Sequence, residues 1–350
     1  MTVDNKIQQD LKDKITQVIS ADRLQQLGVQ NSLVYIKYAK DNLNSGEMKR
    51  LEEEVRQLVK SYDANLKVAY STVTLAAKSG PANLKTGHGP VGNKRPVPGV
   101  KKVIAVGSGK GGVGKSTFTV NLAKTLTQQG AKVGMIDADI YGPSLPMLLR
   151  TRNQKPSSNE QKKIIPLESY GMKMISFGQF IDEGEPVIWR GPMLGGVLNQ
   201  FLFDVDWGEL DYLIIDLPPG TGDIQLSMVQ NVEVDGAIVI CTPQDVALLD
   251  GIKGLEMFRK LKINVLGMVE NMSSFICDHC QTEHFIFGQG GVAKKCQSLD
   301  VPFLGGIALE LKLRLGSDEG FPYMADHDHQ GSAVWNSYFE IAQKVKKALS

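Results

Sequence analysis

A mostly parallel α/β sheet flanked by helices, preceded by a small α/β domain, is the fold this sequence predicts, and three observations predict it. From Val103 onward, apolar β-rich runs alternate with amphipathic segments: VIAV, a helix to about Gln129, VGMI, YLII, AIVIC, a helix from about Ala247, NVLGMV and FLGGIAL. A glycine-rich loop separates the first of these strands from the first helix. Acidic residues follow two of the strands, at the carboxyl edge where open α/β sheets bind ligands.

The first 75 or so residues form a unit of their own. A helix carries Ile7, Leu11, Ile15 and Val18 at helical spacing, and a strand is expected at Leu33 to Tyr38. A second helix shows Met48, Leu51, Val55, Leu58 and Tyr62 on one stripe, and an alternating strand with Leu66, Val68 and Tyr70 closes the unit. We place this small α/β domain at 1–78. Residues 79–100 concentrate Gly, Pro and Lys/Arg without hydrophobic period, the pattern of an exposed linker, and the main domain is expected to span 101–350. Its last helix, from Ser332, shows Trp335, Tyr338, Ile341, Val345 and Leu349 on one face as a cover for the sheet. Lys344, Lys346 and Lys347 near its end suit the negative pole of the helix dipole.

Composition narrows the function classes. Of the 350 residues, 39 are Lys or Arg and 38 are Asp or Glu, so a formal net charge of +1 gives no global attraction to nucleic acid or to an anionic membrane. No run approaches the roughly 18 apolar residues of a membrane span. The polar start, MTVDNKIQQDLKDK, lacks the apolar core of a signal peptide, so a cytoplasmic protein is expected. Four cysteines in this length exclude a disulfide framework. Cys241 follows an apolar run and Cys296 falls in an expected helix, so both read as buried small hydrophobes.

The glycine-rich loop is GSGKGGVGKST, in which Gly109 to Ser116 matches G-x-x-x-x-G-K-[ST], with a strand before it and a helix after it. This is the phosphate loop of a P-loop NTPase. Gly109, Gly111, Gly112 and Gly114 would let the backbone take positive φ and bring its N–H groups to the phosphates. Lys115 would neutralise the β and γ phosphates and the Ser116 hydroxyl would ligate Mg2+. Val113 and Thr117 complete the nucleotide-binding set.

A second lysine, Lys110, follows the first glycine of the motif, and here the sequence resembles the deviant Walker A ATPases, among them septum-site and plasmid-partition ATPases and the nitrogenase iron protein. The resemblance implies a nucleotide-sandwich homodimer in which Lys110 reaches the partner's phosphates and acts in catalysis. MIDADIYGPS sets Asp137 and Asp139 after one strand, and YLIIDLPPGTGD sets Asp216 after another. Asp216 looks like the Walker B carboxylate that holds Mg2+ through water. Asp139 resembles the residue that positions the attacking water, with Asp137 supporting the metal environment. The amide of Gly220, in PPGTGD, suits a sensor of the γ phosphate. There is no N-K-x-D guanine-reading motif, and Asn271 ends a strand where similar ATPases place an adenine-contacting Asn, so ATP is the expected nucleotide.

Cys277 and Cys280 form a C-x-x-C pair after that strand. Their spacer, Asp278-His279, lacks the Gly-Pro of a thioredoxin-type redox pair. A closed metal centre needs four ligands, so the pair supplies half. The rest would come from His284 and Cys296 in the same chain, or from the same pair of a second copy across a two-fold axis. The spacing does not distinguish iron from zinc.

The combination SGKGGVGKST, DADIYGPSLP, WRGPM (Trp189 to Met193), DLPPGTGD, TPQDVALLD and ENMSSFICDHC followed by FGQGG resembles the Mrp/ApbC family of iron-sulfur cluster carriers, over about Val100 to the C-terminus. The resemblance implies a homodimer that holds a 4Fe-4S cluster between its Cys277 and Cys280 pairs. It further implies ATP with Mg2+ as cofactor, and apo iron-sulfur proteins and cluster assembly factors as partners, with neither nucleic acid nor membrane among them. The N-terminal unit resembles a small domain found ahead of such ATPases. Having no cysteine before Cys241, it is expected to dock partners and not to bind the cluster itself.

Two other readings use the same motifs. A positioning or partition-type ATPase would act on membrane or DNA, through a basic surface or an amphipathic anchor, but leaves C-x-x-C without a role. An ATP-driven protein-targeting factor would use the pair as a zinc staple and would need an apolar client surface, for which Gly191 to Trp207 is the candidate.

Overall fold

The computed structural model describes residues 3–30, 33–40, 43–63, 66–73, 94–180, 191–220, 225, 232–277, 279–280 and 282–350. Residues 79–93 of the expected linker, Trp189, Arg190, Thr221 to Asp223 and Asp278 lie outside them. The chain divides into two compact units, one from the N-terminus to Ala77 and one from Lys78 to Ser350, with 168–171 grouped with the first.

The first unit follows the order α1 (Val3–Val18), β1 (Leu24–Gln30), β2 (Leu33–Ala39), α2 (Ser45–Tyr62) and β3 (Lys67–Val73). β2 pairs antiparallel with β1 and parallel with β3. Both helices lay their apolar stripes on one face of this sheet, so that Leu11, Ile15, Val34, Ile36, Val55 and Val59 share a core. α2 starts sharply because Asn44 Oδ1 accepts the Glu47 amide at 3.0 Å while Glu47 Oε2 accepts the Asn44 amide at 2.8 Å, a reciprocal cap. The edge strand β1 was not among the expected elements. Its sequence, LQQLGVQ, is half polar and lacks the dense β-branched content of the other strands.

The second unit begins earlier than the linker reading implies. Val97 is buried in its core, the Arg95 guanidinium stacks 3.7 Å from the Phe203 ring centroid, and Lys94 Nζ donates to the Leu261 carbonyl at 3.1 Å. The stretch from Lys94 to Val100 is therefore tied to this unit at Lys94, Arg95 and Val97, although most of its residues are exposed.

From there the elements run β4 (Val100–Ser108), α3 (Lys115–Gln128), β5 (Val133–Asp137), α4 (Leu145–Leu148), β6 (Ser157–Ser158), β7 (Ile164–Ile165), β8 (Leu167–Ser169), β9 (Met172–Ser176) and α5 (Gly191–Phe203). They continue as β10 (Leu210–Asp216), β11 (Gly236–Cys241), α6 (Asp245–Lys260), β12 (Val265–Ile276), β13 (Glu283–His284), α7 (Gly291–Leu299), β14 (Phe303–Leu309), α8 (Leu311–Glu319) and α9 (Ala333–Leu349). Among the described residues the main sheet has the order β13-β12-β11-β4-β10-β5-β9-β8, with β14 also on β12. The pairings of β4, β5, β9, β10, β11, β12 and β14 with one another are parallel, as expected for strands joined by crossover helices, while β13 pairs antiparallel with β12.

Burial accounts for the apolar runs. Residues 103–108 of β4 are buried throughout, because helices cover both faces. The final helix, α9, is capped by Ser332 Oγ on the Trp335 amide and buries Trp335, Tyr338, Ile341 and Val345, with Tyr338 stacked on Phe118 of α3 at 6.0 Å. Of its lysines, Lys346 bonds the side chain of Gln129 and Lys344 reaches back to the Leu304 carbonyl. β4 is flanked by β10 and β11, and β10 by β5, so the ends of these strands form one edge. In register, Asp216 faces Asp137 on β5, and Asp137 faces Ser176 on β9. Among the described residues, no helix is long and apolar enough to cross a membrane.

Candidate functional site

The phosphate loop lies between β4 and α3, and its glycines do not all answer the same constraint. Gly112 and Gly114 adopt left-handed φ of 79° and 81°. Gly109 does not, but a Cβ there would overlap the backbone carbonyl of Asp250 in α6. Gly111 has neither constraint, the nearest atom to a Cβ being Pro219 Cγ at 3.9 Å. The expectation of positive φ thus holds for two of the four, and close approach of α6 explains a third.

At the first turn of α3, charged and hydroxyl groups converge. Lys115 Nζ lies 2.8 Å from Asp216 Oδ2, and the same oxygen accepts Ser116 Oγ at 2.5 Å. Asp216 Oδ1 accepts Thr119 Oγ1 at 2.9 Å. Lys115 and Asp216 are both buried, so their pairing is shielded from solvent. A helix N-terminus, an ammonium group and a hydroxyl–carboxylate pair suit a magnesium-bound polyphosphate: the amides and ammonium take the phosphates and the hard oxygens take the cation.

Asp137 is fully buried and accepts four hydrogen bonds: from the Asp139 amide at 3.2 Å, the Ser144 and Leu145 amides at 3.0 Å each, and Ser176 Oγ at 3.0 Å. Burial first, then the nearby charge of Asp216, pushes its carboxyl up to about 7, against the opposing pull of Lys115. Asp139 stands at the mouth, half-buried, with Oδ1 on the Gly142 amide at 3.1 Å, and burial raises its pKa as well. Ser176 is a site residue that sequence reading missed. The strand that carries it, MKMIS, has no turn signal or motif to mark it.

Other expected contacts take different forms. The Gly220 amide donates to the Ser108 carbonyl at 2.9 Å, so it is committed to the β4 end and does not present itself to a phosphate; the loop folds back because Gly220 has φ 102°. Gln225, also unforeseen, is buried with Nε2 on the Pro219 carbonyl at 2.7 Å. Asn271 is buried beneath the loop, and its Nδ2 donates to the Val113 carbonyl at 2.8 Å, so its amide N–H braces the phosphate loop where a base contact was expected. Thr117 accepts Asn121 Nδ2 at its carbonyl, and Lys110 accepts Ser108 Oγ at its own.

The cysteine pair caps the hairpin of β12 and β13. Phe275 pairs with His284 and Ile276 with Glu283, and the Cys277 amide donates to the Thr282 carbonyl at 3.0 Å. Cys277 is half-buried and Cys280 exposed. Hydrogen bonds from Thr282, then from Cys277 and His284, bring the Cys280 thiol down to about 7, which favours the thiolate a soft metal needs. Cys296 is not with them. It is buried on α7 in the same core cluster as Cys241, and burial pushes the two thiols up to about 11 and about 12. The single-chain ligand set with Cys296 therefore does not form, and among the described residues no three His, Cys, Asp or Glu side chains gather as a metal cluster.

Residues 99–346 match the family model described as NUBPL iron-transfer P-loop NTPase. The chain is 47% identical to a protein of Arabidopsis thaliana named iron-sulfur protein required for NADH dehydrogenase, mitochondrial, over 72% of this chain and 80% of that relative. It is 39% identical to the iron-sulfur cluster carrier protein of Haemophilus influenzae, over 97% of this chain and 92% of the relative. Among solved structures, a nucleotide-binding protein from Archaeoglobus fulgidus in complex with ADP superimposes with a TM-score of 0.60 at 35% identity, over 69% of this chain and 93% of that one. The family match covers most of the chain and the relatives are 39% to 47% identical over most of their own length, so the chain belongs to the NUBPL iron-transfer P-loop NTPase family.

Proposed function

We propose that the protein is an ATP-dependent iron-sulfur cluster carrier: a homodimer that holds a 4Fe-4S cluster as cargo between the Cys277 and Cys280 pairs of its subunits and passes it to apo-proteins. The observation that carries this reading is the continuity of β12. Asn271 in this strand braces the phosphate loop through Val113, and six residues later the same chain reaches Cys277. Four thiolates, two from each subunit, complete a ligand set that a single chain half supplies.

In this reading ATP and Mg2+ bind at Gly109 to Thr117, with Lys115 on the phosphates and Ser116 and Asp216 toward the metal. Asp139, at the mouth of the site, positions the attacking water and Asp137 holds the switch segment behind it. Lys110 acts across the dimer. Hydrolysis then resets a closed dimer and alters the exposure of the cargo. The domain at 1–78 serves to dock recipients or assembly factors, and a reducing compartment such as the cytoplasm keeps the thiols available.

Anaerobic reconstitution with iron and sulfide tests this, on the wild type and on Cys277→Ala/Cys280→Ala, with metal analysis, visible absorption and oligomeric mass read together. About four irons and four sulfides per dimer, absent from the double variant, are expected. Tightly held zinc with no stable cluster would replace the carrier reading with the zinc-staple one.

A further inference from the structure

Two neighbours in β12 reach opposite sides of the sheet, as successive strand residues do. Asn271 holds the phosphate loop at Val113. Glu270, also buried, accepts the Val292 amide on its Oε2 at 2.9 Å, in the first turn of α7. The residue at the start of that helix, Gly290, has no side chain with which to cap it, and none does so locally. The cap comes instead from a strand residue twenty-two positions earlier in the chain.

The segment between these two anchors carries the cysteines. It passes through Met272, within β12, whose φ of 56° is left-handed, where the register of β12 against β14 shifts between Asn271 and Phe275. A left-handed conformation costs an unbranched non-glycine residue about 1–2 kcal/mol, and such strain persists only where neighbours impose it. Gly306 on β14 admits the bulge, since a Cβ there would come to 3.0 Å from Ser273 Oγ. After Cys277 and Cys280 the chain returns along β13 and enters α7 at Gly291, where a Cβ would come to 3.2 Å from the Pro243 carbonyl. The segment is thus pinned at its exit by Asn271 and Met272, and at its return by Glu270.

We infer that Glu270 is a positioning residue: by seating the first turn of α7 on the strand that braces the phosphate loop, it makes the geometry of the Cys277–Cys280 segment respond to the nucleotide. This inference deepens the proposed function and rests on it for its biological meaning. The contact itself is testable without any cluster. A purely structural cap would stabilise the protein equally with and without nucleotide. A positioning residue must change how one site responds to the other.

The test uses the full-length, metal-free, reduced protein and follows iodoacetamide alkylation of Cys277 and Cys280 by peptide mass, with and without ATP and Mg2+. In the wild type, nucleotide is expected to change the alkylation rate of the pair by about fivefold or more. In Glu270→Ala that factor falls below about twofold while nucleotide still binds. Glu270→Gln, whose carbonyl still accepts the Val292 amide, restores the response. Should the alanine variant not fold, Glu270→Asp, whose side chain is one methylene shorter and withdraws the carboxylate from the Val292 amide, is expected to lose the response likewise. A wild-type rate indifferent to nucleotide, or an undiminished response in Glu270→Ala, overturns the inference. Loss of the carrier reading would show separately, as failure of the wild type to bind iron and sulfide.

Discussion

Lys115 Nζ and Asp216 Oδ2 stand 2.8 Å apart in a site where both side chains are buried, and Ser116 Oγ shares the same carboxylate oxygen. One carboxylate thus holds together the two P-loop groups that a magnesium-bound nucleotide needs. Removing one partner of a buried pair strands the other charge, at a cost of roughly 3–5 kcal/mol. Relief of Asp137 from the charge of Asp216 offsets part of this. Asp216→Ala is therefore expected to lower stability in urea by about 2–3 kcal/mol as well as to abolish ATP turnover. Lys115→Ala removes the phosphate cation and is expected to lower turnover by about a hundredfold or more, measured as phosphate release.

The glycines of the loop should separate by mechanism. Gly109→Ala forces a Cβ into the backbone of Asp250, which has no side-chain freedom to yield, and Gly114→Ala both strains a left-handed φ and meets the Asn271 amide. Both are expected to lose ADP binding in calorimetry. Gly112→Ala keeps open space around the new carbon and pays only for its φ of 79°, about 1 kcal/mol. Gly111→Ala should be close to neutral. Equal losses in all four would mean that the motif as a whole, and not these individual contacts, sets the tolerance.

The contrast between Gly109 and Ser176 shows what the sequence could disclose. The phosphate loop, the parallel strands and the acidic strand ends are local patterns: periodicity of apolar residues and fixed spacing within one turn determine them. Ser176 belongs to the site only because β9 lies beside β5, and Glu270 only because α7 folds back onto β12. Such pairings depend on the order of strands in space, which no local spacing encodes. The bonds of the Gly220 amide and the Asn271 side chain are of the same kind, each made to a backbone carbonyl of a neighbouring strand or loop. At Lys94 to Val100, charge and proline content masked an apolar anchor of one valine and one arginine stem.

Asp137 makes stability depend on pH. Its folded pKa, about 7, lies above the ordinary 3.8, so the folded protein binds a proton more tightly than the unfolded chain does. Its contribution is fully present below about pH 4 and is lost as pH rises through 7. Asp137→Asn keeps an oxygen for the Ser144 and Leu145 amides and cannot ionise. Without nucleotide, the wild type is expected to lose at least about 3 °C more in melting temperature between pH 5 and pH 8 than Asp137→Asn does, the effect of ~1 kcal/mol in a domain of this size. Parallel profiles would show that Asp137 stays charged throughout.

The four cysteines should divide two and two under alkylation. Cys241 and Cys296 are buried, and their thiols are pushed up to about 12 and about 11, so they carry almost no thiolate at neutral pH and lack access besides. Cys280 is exposed and held near 7 chiefly by Thr282, so its thiolate is half formed at neutral pH and recedes as pH falls below that value. Native protein treated with iodoacetamide is therefore expected to modify Cys280 and Cys277 while the buried two wait for unfolding, and the Cys280 rate should rise with a midpoint near pH 7. Thr282→Val removes the hydroxyl that contributes most to the lowered value while leaving the backbone amide, and should move the midpoint upward toward that of an ordinary thiol. An unmoved midpoint would transfer the activation to Cys277 and His284, the remaining side chains that bond this sulfur.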